Sequence, residues 1–161
     1  MIEISLPDGS IKKFEINSTP FDVAKSISEG LARNIISASF NGETVETTTP
    51  LTSNGSLILY TFNDEAGKKA FWHSSAHVLA EAILSFYPKA KLTIGPAIDN
   101  GFYYDVDLGE ETISDKDFGS LEKKFLEIAR GKHEFKMREV SKAEALALYK
   151  EENNQYKVEL I

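Results

Sequence analysis

Three Asx-Gly pairs, Asp8-Gly9, Asn41-Gly42 and Asn54-Gly55, divide the start of the chain into short runs. Such a pair tolerates the positive φ that a tight hairpin needs, so each reads as a point where a strand turns back. The runs around them alternate in polarity. Ile2, Ile4 and Leu6 precede the first turn, and Ile11, Phe14 and Ile16 begin the return. One segment breaks this period. Thr19 stands as a helix cap, with Pro20 in the first helical position and Asp22 near the positive end of the helix. Val23, Ala24 and Ile27 supply an apolar face, and Gly30 reads as the stop. Strands are expected again at 35–40, 43–45 and 56–60. The pattern over 1–62 specifies one helix laid across a small mixed sheet.

That arrangement is the ubiquitin-like β-grasp architecture, and the rest of the chain makes the protein α+β. Residues 63–69 are polar and read as a hinge or the approach to a helix. A helix is expected over 71–86, where Trp72, Ala76, Leu79 and Ile83 recur at helical spacing and Pro88 follows. Strands are expected at 91–94 and 102–108. Ser114 and Asp117 begin another helix with Phe118, Leu121, Phe125 and Ile128 on its core face, and Ser141 with Glu144 forms a capping box for a third. Tyr156, Val158 and Leu160 alternate and read as a closing strand in need of a partner, which points to a cut made inside a longer protein. The expected domains are 1–62 and 63–161.

Composition excludes several classes. The formal charge of −7 argues against a protein that coats nucleic acid, although a local patch could still touch RNA. There is no cysteine, so disulfides and thiolate metal sites cannot form within the chain. No run approaches the ~20 apolar residues that span a bilayer, and the first residues lack the pattern of a secretory signal. Neither GxxxxGK nor GxGxxG occurs.

The sharpest chemical feature is His73-Ser74-Ser75-Ala76-His77. Two histidines four apart on a helix share one face, a spacing that can clamp a metal or hold two imidazoles against one substrate. Spacing alone does not choose between a joint site and two unrelated surface histidines. A zinc-protease motif would need Glu after the first His, where Ser74 stands. In Gly101-Phe102-Tyr103-Tyr104-Asp105 a strand would put Phe102, Tyr104 and Val106 on one face, with Asp105 and Asp107 solvated. His133, before the alternating stretch Glu134-Phe135-Lys136-Met137, reads as a surface or capping residue without a role.

On those residues the first unit resembles the TGS domain, a β-grasp module. Phe71-Trp72-His73-Ser74-Ser75-Ala76-His77-Val78-Leu79-Ala80 looks like the start of the editing domain shared by threonyl- and alanyl-tRNA synthetases. Ile94-Gly95-Pro96-Ala97-Ile98-Asp99-Asn100-Gly101-Phe102-Tyr103-Tyr104-Asp105 is similar to the bacterial threonyl version. The resemblance implies the N-terminal part of a threonyl-tRNA synthetase, a cytoplasmic class II ligase that joins threonine to tRNA(Thr). Its plan is TGS, editing, catalytic and anticodon-binding domains, normally as a homodimer. ATP, magnesium and zinc belong to the absent catalytic part, so this fragment is expected to bind no cofactor or metal and to be a monomer. The resemblance assigns His73 and His77 to hydrolytic editing of seryl-tRNA(Thr), His73 on the water and His77 on substrate or water. Tyr104 and Lys157 match positions of the pocket that contact substrate or tRNA. The family motif continues with a later Cys-x-x-x-His, which this cysteine-free chain does not contain.

Two other readings remain. The β-grasp unit could be a non-catalytic module that docks RNA or protein, with the second unit as its support. The chain could also be a free-standing metal-dependent hydrolase, although two histidines without further ligands hold zinc weakly.

Overall fold

The structure is a computed structural model and describes residues 1–131, 133, 135 and 138–161. It divides into two compact units, Met1–Trp72 and His73–Ile161. Of the alternating stretch expected after His133, residues Glu134, Lys136 and Met137 lie outside the described residues.

Unit 1 is the expected β-grasp. Strands β1 (Ile2–Ser5), β2 (Ile11–Phe14), β3 (Ile35–Phe40), β4 (Glu43–Val45) and β5 (Gly55–Thr61) form one sheet in the order β2-β1-β5-β3-β4. β1 and β5 run parallel and the other pairs antiparallel, so the sheet is mixed. Ile2 and Ile4 point inward to join Leu6, Val23, Ala38, Leu51 and Leu57 in a buried cluster. A slip of one residue would turn β1's apolar side to water, so burial fixes its register.

Two of the three Asx-Gly pairs turn the chain as expected. Asn41 and Gly42 have φ of 52° and 88°, the paired positive values of a two-residue hairpin between Phe40 and Glu43. At the first turn Gly9 has φ 82°, and the Asp8 carboxylate accepts from the Ser10 amide at 2.9 Å. Asn54-Gly55 differs. Asn54 Oδ1 accepts from the Glu3 amide at 2.9 Å, and Gly55 opens β5. A Cβ there would lie 2.5 Å from the Phe40 ring, so this glycine serves a close approach.

Helix α1 (Pro20–Ile27) has the anticipated box, with the Asp22 amide donating to Thr19 Oγ1 at 3.2 Å and the Thr19 amide to Asp22 Oδ2 at 2.9 Å. It stops before Gly30. Ser28 turns extended (φ −164°) and its hydroxyl caps a second helix, α2 (Glu29–Asn34), which runs through Gly30. Ile27 consequently lies exposed at the end of α1 rather than on the core face.

Helix α3 (Glu65–Phe86) begins six residues earlier than the apolar pattern suggests. The Thr61 amide donates to Asp64 Oδ2 at 2.7 Å and the Lys68 amide to the Asp64 carbonyl at 2.8 Å, so the polar stretch is the first turn. Phe62, Phe71 and Trp72 pack edge to face, with centroids 5.2–5.8 Å apart.

In unit 2, β6 (Lys91–Leu92) pairs with β9 (Val106–Asp107), and β7 (Ala97–Ile98) with β8 (Gly101–Phe102). The strand expected over 102–108 is therefore broken in two. Asp105 still bonds across the ribbon, its amide to the Ile94 carbonyl at 2.9 Å. Helix α4 (Asp115–Arg130) buries Leu121 and Ile128, whereas Phe118 is exposed beside an open apolar groove of about 530 Å³. Helix α5 (Lys142–Glu151) has the Ser141–Glu144 box.

The closing strand is a helix, α6 (Gln155–Leu160). Asn154 Oδ1 accepts from the Lys157 amide at 3.2 Å, and the Val158 amide donates to the Asn154 carbonyl at 3.2 Å. Those bonds start a helical turn, and the alternation of 156, 158 and 160 is too short to oppose them.

Candidate functional site

One turn of α3 places His73 and His77 on the same face, as the spacing requires. Their Nε2 atoms stand 3.1 Å apart, with ring centroids 4.6 Å apart and planes at 88°. At that distance one Nε2–H donates and the other Nε2 must accept. A single proton therefore lies between the rings, and the accepting ring is a neutral imidazole protonated at Nδ1. The pair can accept a proton from water and pass one on.

The surroundings favour the neutral state. His77 is held below its ordinary value of 6.5, chiefly by loss of hydration, then by the charge of His73 and by that of Lys157. Lys157, half-buried on α6, is itself pushed down by desolvation. The Phe135 ring lies 6.3 Å from that of His77 and adds an apolar wall.

Three of the four residues singled out from sequence thus meet here, His73 and His77 by contact and Lys157 through its field on His77. Tyr104 is placed differently. It is half-buried, its hydroxyl is pushed up by desolvation and then by Tyr149, and no hydrogen bond joins it to the imidazoles among the described residues. Its ring lies across Gly95, where a Cβ would come within 2.2 Å of the ring carbons. Replacing Gly95 by alanine is expected to displace Tyr104 and cost about 1–3 kcal/mol as overpacking. Urea unfolding and the ring proton shifts of Tyr104 check this; unchanged shifts would refute the packing.

Sequence reasoning missed two polar residues that bond to α6. Asp107, expected to be merely solvated, accepts from the Gly109 amide at 2.8 Å and the Tyr156 hydroxyl at 2.7 Å. These two bonds, with help from Lys91, hold its carboxyl below the usual range. Asn154 is buried and donates to the Leu92 carbonyl at 2.9 Å. An asparagine three residues after a helix was the available signal for a cap.

Two imidazoles converge, but no group of three or more His, Cys, Asp or Glu side chains gathers among the described residues, and zinc takes at least three protein ligands.

Comparison with known proteins gives the chain's relatives. The TGS domain family matches residues 2–61. Over 161 residues the chain is 64% identical to a threonine-tRNA ligase of Flavobacterium psychrophilum, with 100% of the chain and 24% of that protein covered. A threonine-tRNA ligase of Clostridioides difficile is 48% identical over 161 residues, with 100% of the chain and 25% of that protein covered. The chain is similar over its whole length to threonine-tRNA ligases. It matches their N-terminal region and spans about a quarter of the length of the curated relatives it matches. Both halves take part in the likeness, the TGS domain and the unit carrying the imidazole pair. No helix among the described residues is long and apolar enough to cross a membrane.

Proposed function

We propose that unit 2 is one wall of a hydrolytic editing site in a threonine-tRNA ligase, and that its reaction is removal of serine from seryl-tRNA(Thr). In this reading 1–62 is the TGS domain and 63–161 the beginning of the editing domain. The longer protein, a cytoplasmic class II enzyme and homodimer, joins threonine to tRNA(Thr) with ATP, magnesium and zinc in regions outside this chain. The single observation that carries the proposal is the pair of Nε2 atoms at 3.1 Å.

The need for such a site is energetic. Serine lacks only the methyl group of threonine, and one methyl distinguishes substrates by roughly 1–3 kcal/mol, too little for faithful translation. A second site must hydrolyse the ester that the first site makes in error. His73 takes a proton from water as the oxygen attacks the ester carbonyl. The tetrahedral intermediate collapses, the ribose oxygen leaves with a proton, and serine is released. His77, kept neutral beside it, holds the water or substrate by a hydrogen bond. Lys157 offers the positive charge that an oxyanion or the tRNA terminus requires, and Tyr104 offers a hydroxyl to the substrate.

The test compares two proteins on seryl-tRNA(Thr). A full-length ligase carrying this sequence is expected to release serine, whereas the 161-residue chain, with one wall of the cleft, releases little or none. A full-length enzyme that leaves the mischarged tRNA intact would refute the proposal.

A further inference from the structure

Lys157, whose charge acts on His77, stands on a helix too short to hold its own position. Helix α6 has six residues, far fewer than an isolated helix needs in water. Its placement depends on what fastens it. Two side-chain bonds do so, and both end on the β6–β9 ribbon. Asn154, 8% exposed, accepts from the Lys157 amide with Oδ1 at 3.2 Å and donates from Nδ2 to the Leu92 carbonyl of β6 at 2.9 Å. Its own amide donates to the Tyr149 carbonyl at 2.9 Å, which ties the same point to the end of α5. One residue before Lys157, the Tyr156 hydroxyl donates to Asp107 Oδ2 of β9 at 2.7 Å.

We propose that Asn154 and the Tyr156–Asp107 hydrogen bond are positioning elements that lock α6 onto the β6–β9 ribbon and thereby set the Lys157 ammonium beside His77. The inference rests on the reading of His73, His77 and Lys157 as one site. Neither anchor touches the imidazoles, so each acts through the lysine. The functional consequence is electrostatic. A cation held near His77 opposes its protonation and keeps an imidazole lone pair free to accept. Among the described residues, the charged or titratable groups acting on His77 are His73 from α3 and Lys157 from α6, and the Phe135 ring 6.3 Å away is uncharged.

The experiment is an NMR titration of the His77 ring in the 161-residue protein. Lys157→Met is expected to move the His77 midpoint upward, because it removes the opposing cation. Asn154→Ala and Tyr156→Phe are expected to move it in the same direction while Lys157 is still present. Combining either with Lys157→Met should add nothing further. If the lysine variant shifts His77 but both anchor variants stay at the original midpoint with folded spectra, the positioning role is overturned and the site reading survives. If Lys157→Met leaves His77 unmoved, the link between lysine and imidazole is itself wrong. Should Asn154→Ala unfold the unit, Tyr156→Phe decides alone, since it deletes one hydroxyl and leaves the ring in place. Seryl-tRNA(Thr) hydrolysis is not the readout, so failure of the hydrolytic proposal and failure of this one are separable.

Discussion

Replacing His73 by alanine in a full-length threonine-tRNA ligase that carries this sequence is expected to slow seryl-tRNA(Thr) hydrolysis by about 10²–10⁴-fold, the usual contribution of a positioned acid–base group. The change removes one partner of the 3.1 Å Nε2 contact. It also frees His77 from the charge of His73, so the remaining imidazole takes up a proton more readily. Threonine activation should be unaltered, because the proposal puts that chemistry outside the chain. Single-turnover deacylation beside threonine-dependent pyrophosphate exchange measures both. A mutant that clears seryl-tRNA(Thr) at the normal rate would show that His73 has no part in the step.

The same site fixes the sign of the pH dependence. His77 sits below its ordinary 6.5, so it stays neutral as pH falls through the range where a free histidine charges. An NMR titration of the His77 ring in the 161-residue protein should therefore have its midpoint below 6.5. Stability follows the opposite partner in the equilibrium. Between those two values the unfolded chain binds the proton and the folded chain does not, so folding weakens as pH falls through that window. A His77 midpoint at or above the ordinary histidine value would contradict the low-hydration environment described for that ring.

How much of this could be read beforehand depends on the range of the forces involved. Turn and cap chemistry is local, and it was legible. Asn41-Gly42, Thr19 with Asp22 and Ser141 with Glu144 act where their residue types place them. The spacing of His73 and His77 put both rings on one face for the same reason. Errors arose where a neighbour distant in sequence decided the outcome. Gly55 looked like a turn residue, but its small size accommodates the Phe40 ring on the adjacent strand. Residues 156–161 alternated like a strand, yet Asn154 is buried against Leu92, 62 positions away, and begins a helix there. Lys157 could be singled out only by resemblance, because no local pattern reveals which helix end faces an imidazole. Asp107 looked like a solvated carboxylate until the Tyr156 hydroxyl reached it.

The largest stability effect is expected at Leu57. It is fully buried on β5, between β1 and β3, and its Cα partner across the ladder is Phe40. Leu57→Ala leaves a cavity between the sheet and α1 and is expected to cost about 2–5 kcal/mol. A β-grasp unit of this size buries a modest share of its surface, and whole domains have only ~5–15 kcal/mol of stability, so this single change removes much of the margin. Ile58, the next residue, provides the control. It points to the other side of the sheet and is 40% exposed, so Ile58→Ala should cost about 0.5 kcal/mol or less. Trp72 is the one tryptophan of the chain and packs with Phe62 and Phe71 at the end of unit 1, so its fluorescence in urea reports on that unit. Equal losses at 57 and 58 would mean that β5 does not have one face in the core and one in water, and the register of the whole sheet would have to be redrawn.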